Sequence, residues 1–204
     1  MQVQKTNIRQ TILQSARHEF LEHGFKDASM RRIARMSNVT LSNIYNYFKN
    51  KDEIFYEVLR PLLETFEKLT DEHNNRDHIT IDVFTMKSYQ REMIDGLMII
   101  LGQYRAELKL LLFQASGSSL ENFRDTFTDS QTIKSQEYML LMKQKYPEIN
   151  TDVSTFFIHT MTSWWLTLVG EIVTHDELSK NDIEHFVSEF VAFSNAGWKR
   201  LMQV

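Results

Sequence analysis

The stretch from Met30 to Lys51, MRRIARMSNVTLSNIYNYFKNK, has the form of two short helices set around a tight turn, and the rest of the chain must fold so as to support it. Ile33 and Ala34 face inward on the first helix, where the small Ala34 lets the second helix cross closely. Asn38 stands where the chain turns sharply, and Asn is among the few residues besides Gly that tolerate a left-handed backbone. Val39 plugs the angle, Thr40 caps the next helix by accepting from a free backbone N–H, and Ile44 and Phe48, four apart, anchor that helix inward. Leu41, Ser42, Asn43, Asn46 and Tyr47 remain outside, with Tyr45 at the margin. Such a polar, hydrogen-bonding surface suits entry into a DNA major groove from a helix-turn-helix. An ordinary helical hairpin facing water has the same spacing, so the flanks decide between the two.

Upstream, Ile8, Ile12, Ala16 and Phe20 recur every fourth residue. Gly24-Phe25 is suited to a left-handed helix end followed by a hydrophobic contact. Ser29 offers a cap to the next helix, and Lys51-Asp52-Glu53 opens another apolar helix through Ile54, Phe55, Val58 and Leu59. In this order Gly24-Phe25, Ile33-Ala34, Val39-Thr40, Ile44-Tyr45, Phe48 and Lys51 resemble the DNA-binding domain of the tetracycline-repressor (TetR) family, over the first quarter of the chain. The chain departs from that pattern at Ala28, where Thr is usual, at Asn38 and Ser42, where Gly is common, and at Tyr47, where His is common. Each replacement can do the same physical work, but an operator sequence does not carry over.

With 204 residues, 42% hydrophobic and 25% charged, the chain is long enough for one or two compact units. It has two prolines, six glycines and apolar residues at helical spacing, which predicts a nearly all-helical fold of about nine helices. There is no cysteine, which excludes disulfides and thiolate metal sites. Met1 to Gln10 is polar and lacks the apolar core of a signal peptide, and no apolar run approaches the roughly 18 residues of a membrane span, so a cytoplasmic protein without membrane association is expected. Charge is unevenly spread: residues 1–60 hold ten Lys/Arg against six Asp/Glu, or +4, while residues 61–204 hold thirteen against twenty-one, or −8. A basic N-terminal segment on an acidic protein fits one end approaching nucleic acid.

The linear reading divides the chain into a helix-turn-helix domain at 1–50 and a helical body at 51–204, with 51–72 as a connecting helix that Pro61 kinks or divides. A helix is then expected from Ile79 to Leu101, where the five apolar residues Leu97 to Leu101 go right round and imply central burial. A shorter helix runs through Leu108 to Phe113, and Gly117-Ser118-Ser119 breaks it. Leu120 to Tyr146 follows, with an interruption near Thr128 to Thr132, and Pro147 ends it.

The last two helices, Asp152 to Thr174 and Asn181 to Met202, are too broadly apolar for one buried face each, and small residues in the final helix permit close approach. Phe157, Trp165, Phe190, Ser194, Gly197 and Trp198 are the candidates for a four-helix interface in a two-fold homodimer, which the resemblance also implies. The resemblance further implies a small-molecule effector enclosed between Ile79 and Thr174, and Met93, Tyr104, Phe113, Phe127, Met142 and Trp164 are adaptable candidates to line its pocket.

Catalytic and metal-binding patterns are weak by comparison. None of the seven histidines falls in a His-x-x-x-His or His-Glu-x-x-His spacing, although His73, Asp77 and His78 could meet in a loop. There is no Gly-rich phosphate loop, no Gly-x-Ser-x-Gly elbow and no cofactor signature. The expected function is therefore that of a non-enzymatic transcriptional regulator, a ligand-responsive repressor bound as a homodimer to a palindromic double-stranded operator. An activator, a DNA-organising protein of the same fold and a small all-helical enzyme with a dispersed site remain as alternatives. Leu41, Ser42, Asn43 and Asn46 are assigned to base edges, and Thr40, Tyr45, Tyr47 and Lys51 to phosphates.

Overall fold

The computed structural model describes the backbone of residues 2–74 and 79–204 and the side chains of residues 7–71, 79–83 and 86–204. Among the described residues there are nine helices and no strand. The chain forms two compact units, Met1–Glu64 with Ala106–Phe123, and Thr65–Arg105 with Arg124–Val204, so the first unit extends past residue 50 and takes in a later segment.

The first unit contains α1 (Gln2–Asp27), α2 (Met30–Met36), α3 (Leu41–Ile44), the start of α4 (Lys51–Asn74) and the end of α6 (Lys87–Phe113). Ile12, Ala16 and Phe20 of α1, Ile33 and Ala34 of α2, Ile44, Phe48, and Ile54, Phe55 and Leu59 of α4 are all buried, as their spacing predicts. The Phe55 ring meets Phe20 edge-on at 5.0 Å and Phe25 at 4.9 Å. Glu19 is only 2% exposed, yet its charge is answered: Oε1 accepts from Ser29 N and from Arg32 Nε, both at 2.7 Å. This carboxylate fixes the corner between α1 and α2.

The long first helix of α1 ends at Gly24, as its position predicts, and only a short further turn follows. The backbone departs there from helical geometry at φ 68°, ψ 176°, then resumes to Asp27. The freed Phe25 N–H donates instead to Gln114 O at 2.9 Å, a partner distant in sequence that no local pattern announces. The junction is reinforced by Ser119 N, which donates to Asp52 Oδ1 at 2.7 Å, and by Arg17 Nε, which donates to Glu107 Oε1 at 2.5 Å.

Helix α4 passes through Pro61 undivided, because the proline lies on its exposed side. The expected break after Leu101 takes the form of a kink: the two helical segments of α6 meet at Tyr104 (φ −126°, ψ 21°), and the second ends before Gly117, whose φ is 83°. Nor is Leu97 to Leu101 buried all round, since Ile100 and Leu101 point inward while Ile99 is 58% exposed.

The second unit holds the short α5 (Asp82–Thr85), the first part of α6, α7 (Phe123–Lys145), α8 (Thr155–Thr174) and α9 (Lys180–Met202). Helix α7 is unbroken: Thr128 and Thr132 are buried within it, and the Thr132 hydroxyl donates to Thr128 O at 2.7 Å, which removes the polar cost of burial. Ser154 caps α8, and Ser179 with Asp182 forms a capping box on α9. At the other end of α9, Asn150 donates through N to Met202 O and through Nδ2 to Leu201 O, both at 2.9 Å, so its last carbonyls are satisfied. Ile79, Tyr138, Met142, Ile149 and Met202 form a buried cluster, and burial pushes the Tyr138 hydroxyl pKa up to about 12.

Candidate nucleic-acid interface and apolar cleft

The turn between α2 and α3 is built by local bonds. Ser29 Oγ accepts from Arg32 N at the start of α2, and the buried Ser37 closes its end by donating through its hydroxyl to Ile33 O at 2.7 Å. Asn38 takes φ 54°, the left-handed geometry its position predicts, and Val39 N donates back to Ala34 O at 3.0 Å. Thr40 Oγ1 accepts from Asn43 N at 3.2 Å and lies 3.0 Å from Ser42 Oγ. After its single α turn, α3 continues in tighter bonds, Asn46 N to Asn43 O at 3.1 Å and Tyr47 N to Ile44 O at 2.9 Å.

Ser42, Tyr45 and Asn46 are exposed, and Leu41, Asn43 and Tyr47 are half-buried beside them. Asn46 Nδ2 donates to Asn43 Oδ1 at 3.2 Å, which orients both amides and leaves Asn43 Nδ2, Asn46 Oδ1 and one lone pair of Asn43 Oδ1 for other partners. All eight residues assigned from the sequence except Lys51 thus lie in or beside one surface turn.

Lys51 is committed elsewhere. Its Nζ donates to Phe25 O at 2.7 Å, Lys26 O at 3.2 Å and Ala28 O at 3.3 Å, and stands 4.4 Å from the Phe25 ring centroid. It serves the carbonyls left unpaired at the end of α1, and desolvation lowers its pKa against the opposing pull of Asp27 and Glu19. Lys51→Met is therefore expected to cost about 1.5–3 kcal/mol of stability in urea denaturation and to leave the salt dependence of DNA binding unchanged. A flatter salt slope at wild-type stability would return Lys51 to the phosphates.

The cations that sequence reasoning missed are Arg31 and Arg35 on α2, with Lys26 and Lys49. All four are exposed and have no ion pair among the described residues, whereas Arg9, Arg17, Arg32 and Arg60 are each bound to a glutamate. The i, i+4 spacing of Arg31 and Arg35, opposite Ile33 and Ala34, was the available signal.

In the second unit an apolar cleft lies between α6 (Leu97, Leu101), α8 (Trp165, Ile172) and α9 (Phe186, Phe190), and every side chain lining it is apolar. As it stands it encloses about 10 Å³, room for no more than one water. None of the six pocket candidates lines it. Met93 is exposed, Phe113 is exposed in the first unit, Met142 is fully buried in the cluster with Tyr138, and Tyr104 marks the irregularity of α6. Phe127 stands behind Trp165, with ring centroids 6.1 Å apart.

The two adjacent tryptophans turn different ways. Trp165 faces inward onto Phe66 and Phe127, while Trp164 packs against α9 at Phe190 (5.3 Å) and the exposed Phe193 (6.1 Å). One residue is a rotation of about 100° on a helix, and spacing alone does not say which of two neighbours turns in. Among the other interface candidates, Phe157 and Trp198 meet edge-on at 5.7 Å within one chain, Phe190 and Ser194 are half-buried, and Gly197 is exposed.

No group of three or more metal-ligating side chains occurs among the described residues, and the side chains of His73, Asp77 and His78 lie outside them. No described helix is long and apolar enough to cross a membrane.

Together these features define an all-helical protein with an N-terminal helix-turn-helix. Residues 12–58 match the family described as bacterial regulatory proteins, tetR family. It is 36% identical over 64 residues to the HTH-type transcriptional regulator YhgD of Bacillus subtilis, a match covering 31% of this chain and 34% of that protein. The chain thus matches only about a third of that relative's length. Two solved structures are similar over nearly the whole chain. One is NalD, the secondary repressor of the MexAB-OprM multidrug efflux pump in Pseudomonas aeruginosa, with a TM-score of 0.68 at 18% identity, covering 97% of each chain. The other is the transcriptional regulator FadR of Bacillus subtilis in complex with stearoyl-CoA, with a TM-score of 0.62 at 17% identity, covering 89% of this chain and 96% of that one. At such identities they speak to the fold alone.

Proposed function

We propose that the protein is a cytoplasmic DNA-binding transcriptional regulator, a ligand-responsive repressor that holds a palindromic operator as a homodimer. The observation that carries this is the α2–α3 turn, rigidly capped at Ser29, Asn38 and Thr40 and carrying two linked asparagine amides, within the segment that matches the family. Asn43, Asn46, Ser42 and Leu41 read base edges; Thr40, Tyr45 and Tyr47, joined now by Arg31, Arg35 and Lys49, fix register on phosphates. Dimerisation through α8 and α9 is supported by the small and apolar residues they leave exposed, and repression by the likeness to NalD. The apolar cleft supports an effector site, as does the likeness to FadR, whose structure is a complex with stearoyl-CoA.

Selection of bound duplexes from a random pool tests the reading: one palindromic site is expected, with half-sites about 34–36 Å apart or a multiple of that. On that site Asn43→Ala is expected to lose about 1–3 kcal/mol and to relax selectivity at one position. Equal binding of selected and random duplexes by the wild type would remove the regulator reading.

A further inference from the structure

Resting on the effector site just proposed, we infer that the ligand is an apolar molecule ending in a single carboxylate, with its tail in the cleft and its headgroup on Arg105. Every side chain that lines the cleft is apolar, so the body of the ligand has no polar partner there. Four residues beyond the lining residue Leu101, just past the kink at Tyr104, stands Arg105, whose Nη2 donates to Ile172 O at 2.9 Å and to His175 O at 2.6 Å at the end of α8. Ile172 itself lines the cleft, so the guanidinium is anchored to the backbone of a lining residue.

Those two carbonyls account for one nitrogen only. Arg105 Nε is buried and has no hydrogen-bond partner, and no carboxylate comes within ion-pairing distance of the guanidinium among the described residues. An arginine held half-buried in this way has one buried N–H unanswered, an arrangement that costs stability unless something else answers it. A carboxylate does so, and it would bind on the Nε side because the Nη2 side is occupied. The neighbouring apolar surface then selects acids with a hydrophobic body over small anions such as acetate. Because the closed cleft holds about 10 Å³, the tail enters by parting Phe186 and Phe190 of α9, and Phe186 already reaches the surface.

The test compares dodecanoate with methyl dodecanoate and dodecanol, equal in apolar body and different in charge, by quenching of tryptophan fluorescence, since Trp165 lines the cleft. Dodecanoate is expected to bind at least tenfold more tightly than either neutral compound, which corresponds to about 1.4 kcal/mol. That preference is expected to vanish in Arg105→Gln and to survive in part in Arg105→Lys, with helical content checked by circular dichroism. Equal affinity for acid and ester in the wild type, or no binding of any of the three, overturns the inference without depending on whether a variant folds. A preference that persists in Arg105→Gln overturns the assignment to Arg105. Duplex binding is measured on the same preparation: operator binding without carboxylate binding refutes this inference alone, and carboxylate binding without duplex binding refutes the regulator reading alone.

Discussion

Gly197→Glu is expected to yield a folded monomer that has lost operator affinity by a factor on the order of 10²–10⁴, the range expected when two linked half-site contacts become one. The isolated chain has no reason to object. Gly197 is exposed on α9, and a Cβ built there meets nothing within 4 Å. Replacing glycine by glutamate inside a helix also gains roughly half a kcal/mol of propensity, which offsets the unfavourable placement of an acid towards a helix C-terminus. The cost falls on association. Ala192, Ala196 and Gly197 form an exposed strip of small residues beside Phe193, which is 69% exposed, and on α8 Thr160, Ser163 and Thr167 are exposed beyond Phe156. The Thr160 and Thr167 hydroxyls donate to Phe156 O and Ser163 O, so this face is less polar than its composition suggests. A carboxylate in the middle of such a strip would be desolvated without a partner when a second copy covers it. Sedimentation equilibrium reads the result, and a mass that stays dimeric would take Gly197 out of the interface.

The second large effect is expected at Gly24→Val, which should destabilise the first unit by about 2–4 kcal/mol through two independent causes. The backbone there, at φ 68° and ψ 176°, is open to glycine and strained for any side chain, most of all a β-branched one. A Cβ would also lie 3.3 Å from Gln114 Cβ and 3.4 Å from Gln114 O, the oxygen that accepts from Phe25 N. The substitution therefore strains a dihedral angle and pushes on the hydrogen bond that fastens the α6 end to the α1 corner. Urea unfolding and duplex binding should both show the loss, while the mass of the assembly should not change, since Gly24 lies outside the unit that contains α8 and α9. Wild-type stability of the valine variant would mean that the backbone at Gly24 relaxes at little cost.

What the sequence determined by itself was everything decided within a few residues. The left-handed Asn38, the caps at Ser29 and Thr40, the inward Ile33, Ala34, Ile44 and Phe48, the capped starts of α8 and α9 and the break at Gly117 each follow from a side chain acting on its own backbone or on a neighbour one turn away. That is why the helix-turn-helix could be recognised from residues alone. The tertiary structure decided whatever depends on partners far along the chain. Lys51 carries the pattern of a phosphate contact, but its ammonium is claimed by carbonyls some 23 to 26 residues earlier. Gly24 was legible as a break, while its reason, Gln114, lay 90 residues on. Trp164 and Trp165 are equally apolar neighbours, and only packing against Phe66 and Phe127 on one side and Phe190 on the other sets which turns inward. Hydrophobic burial rewards area and not identity, so an adaptable residue such as Met142 satisfies it equally in a core or in a pocket; the choice belongs to the neighbours it meets.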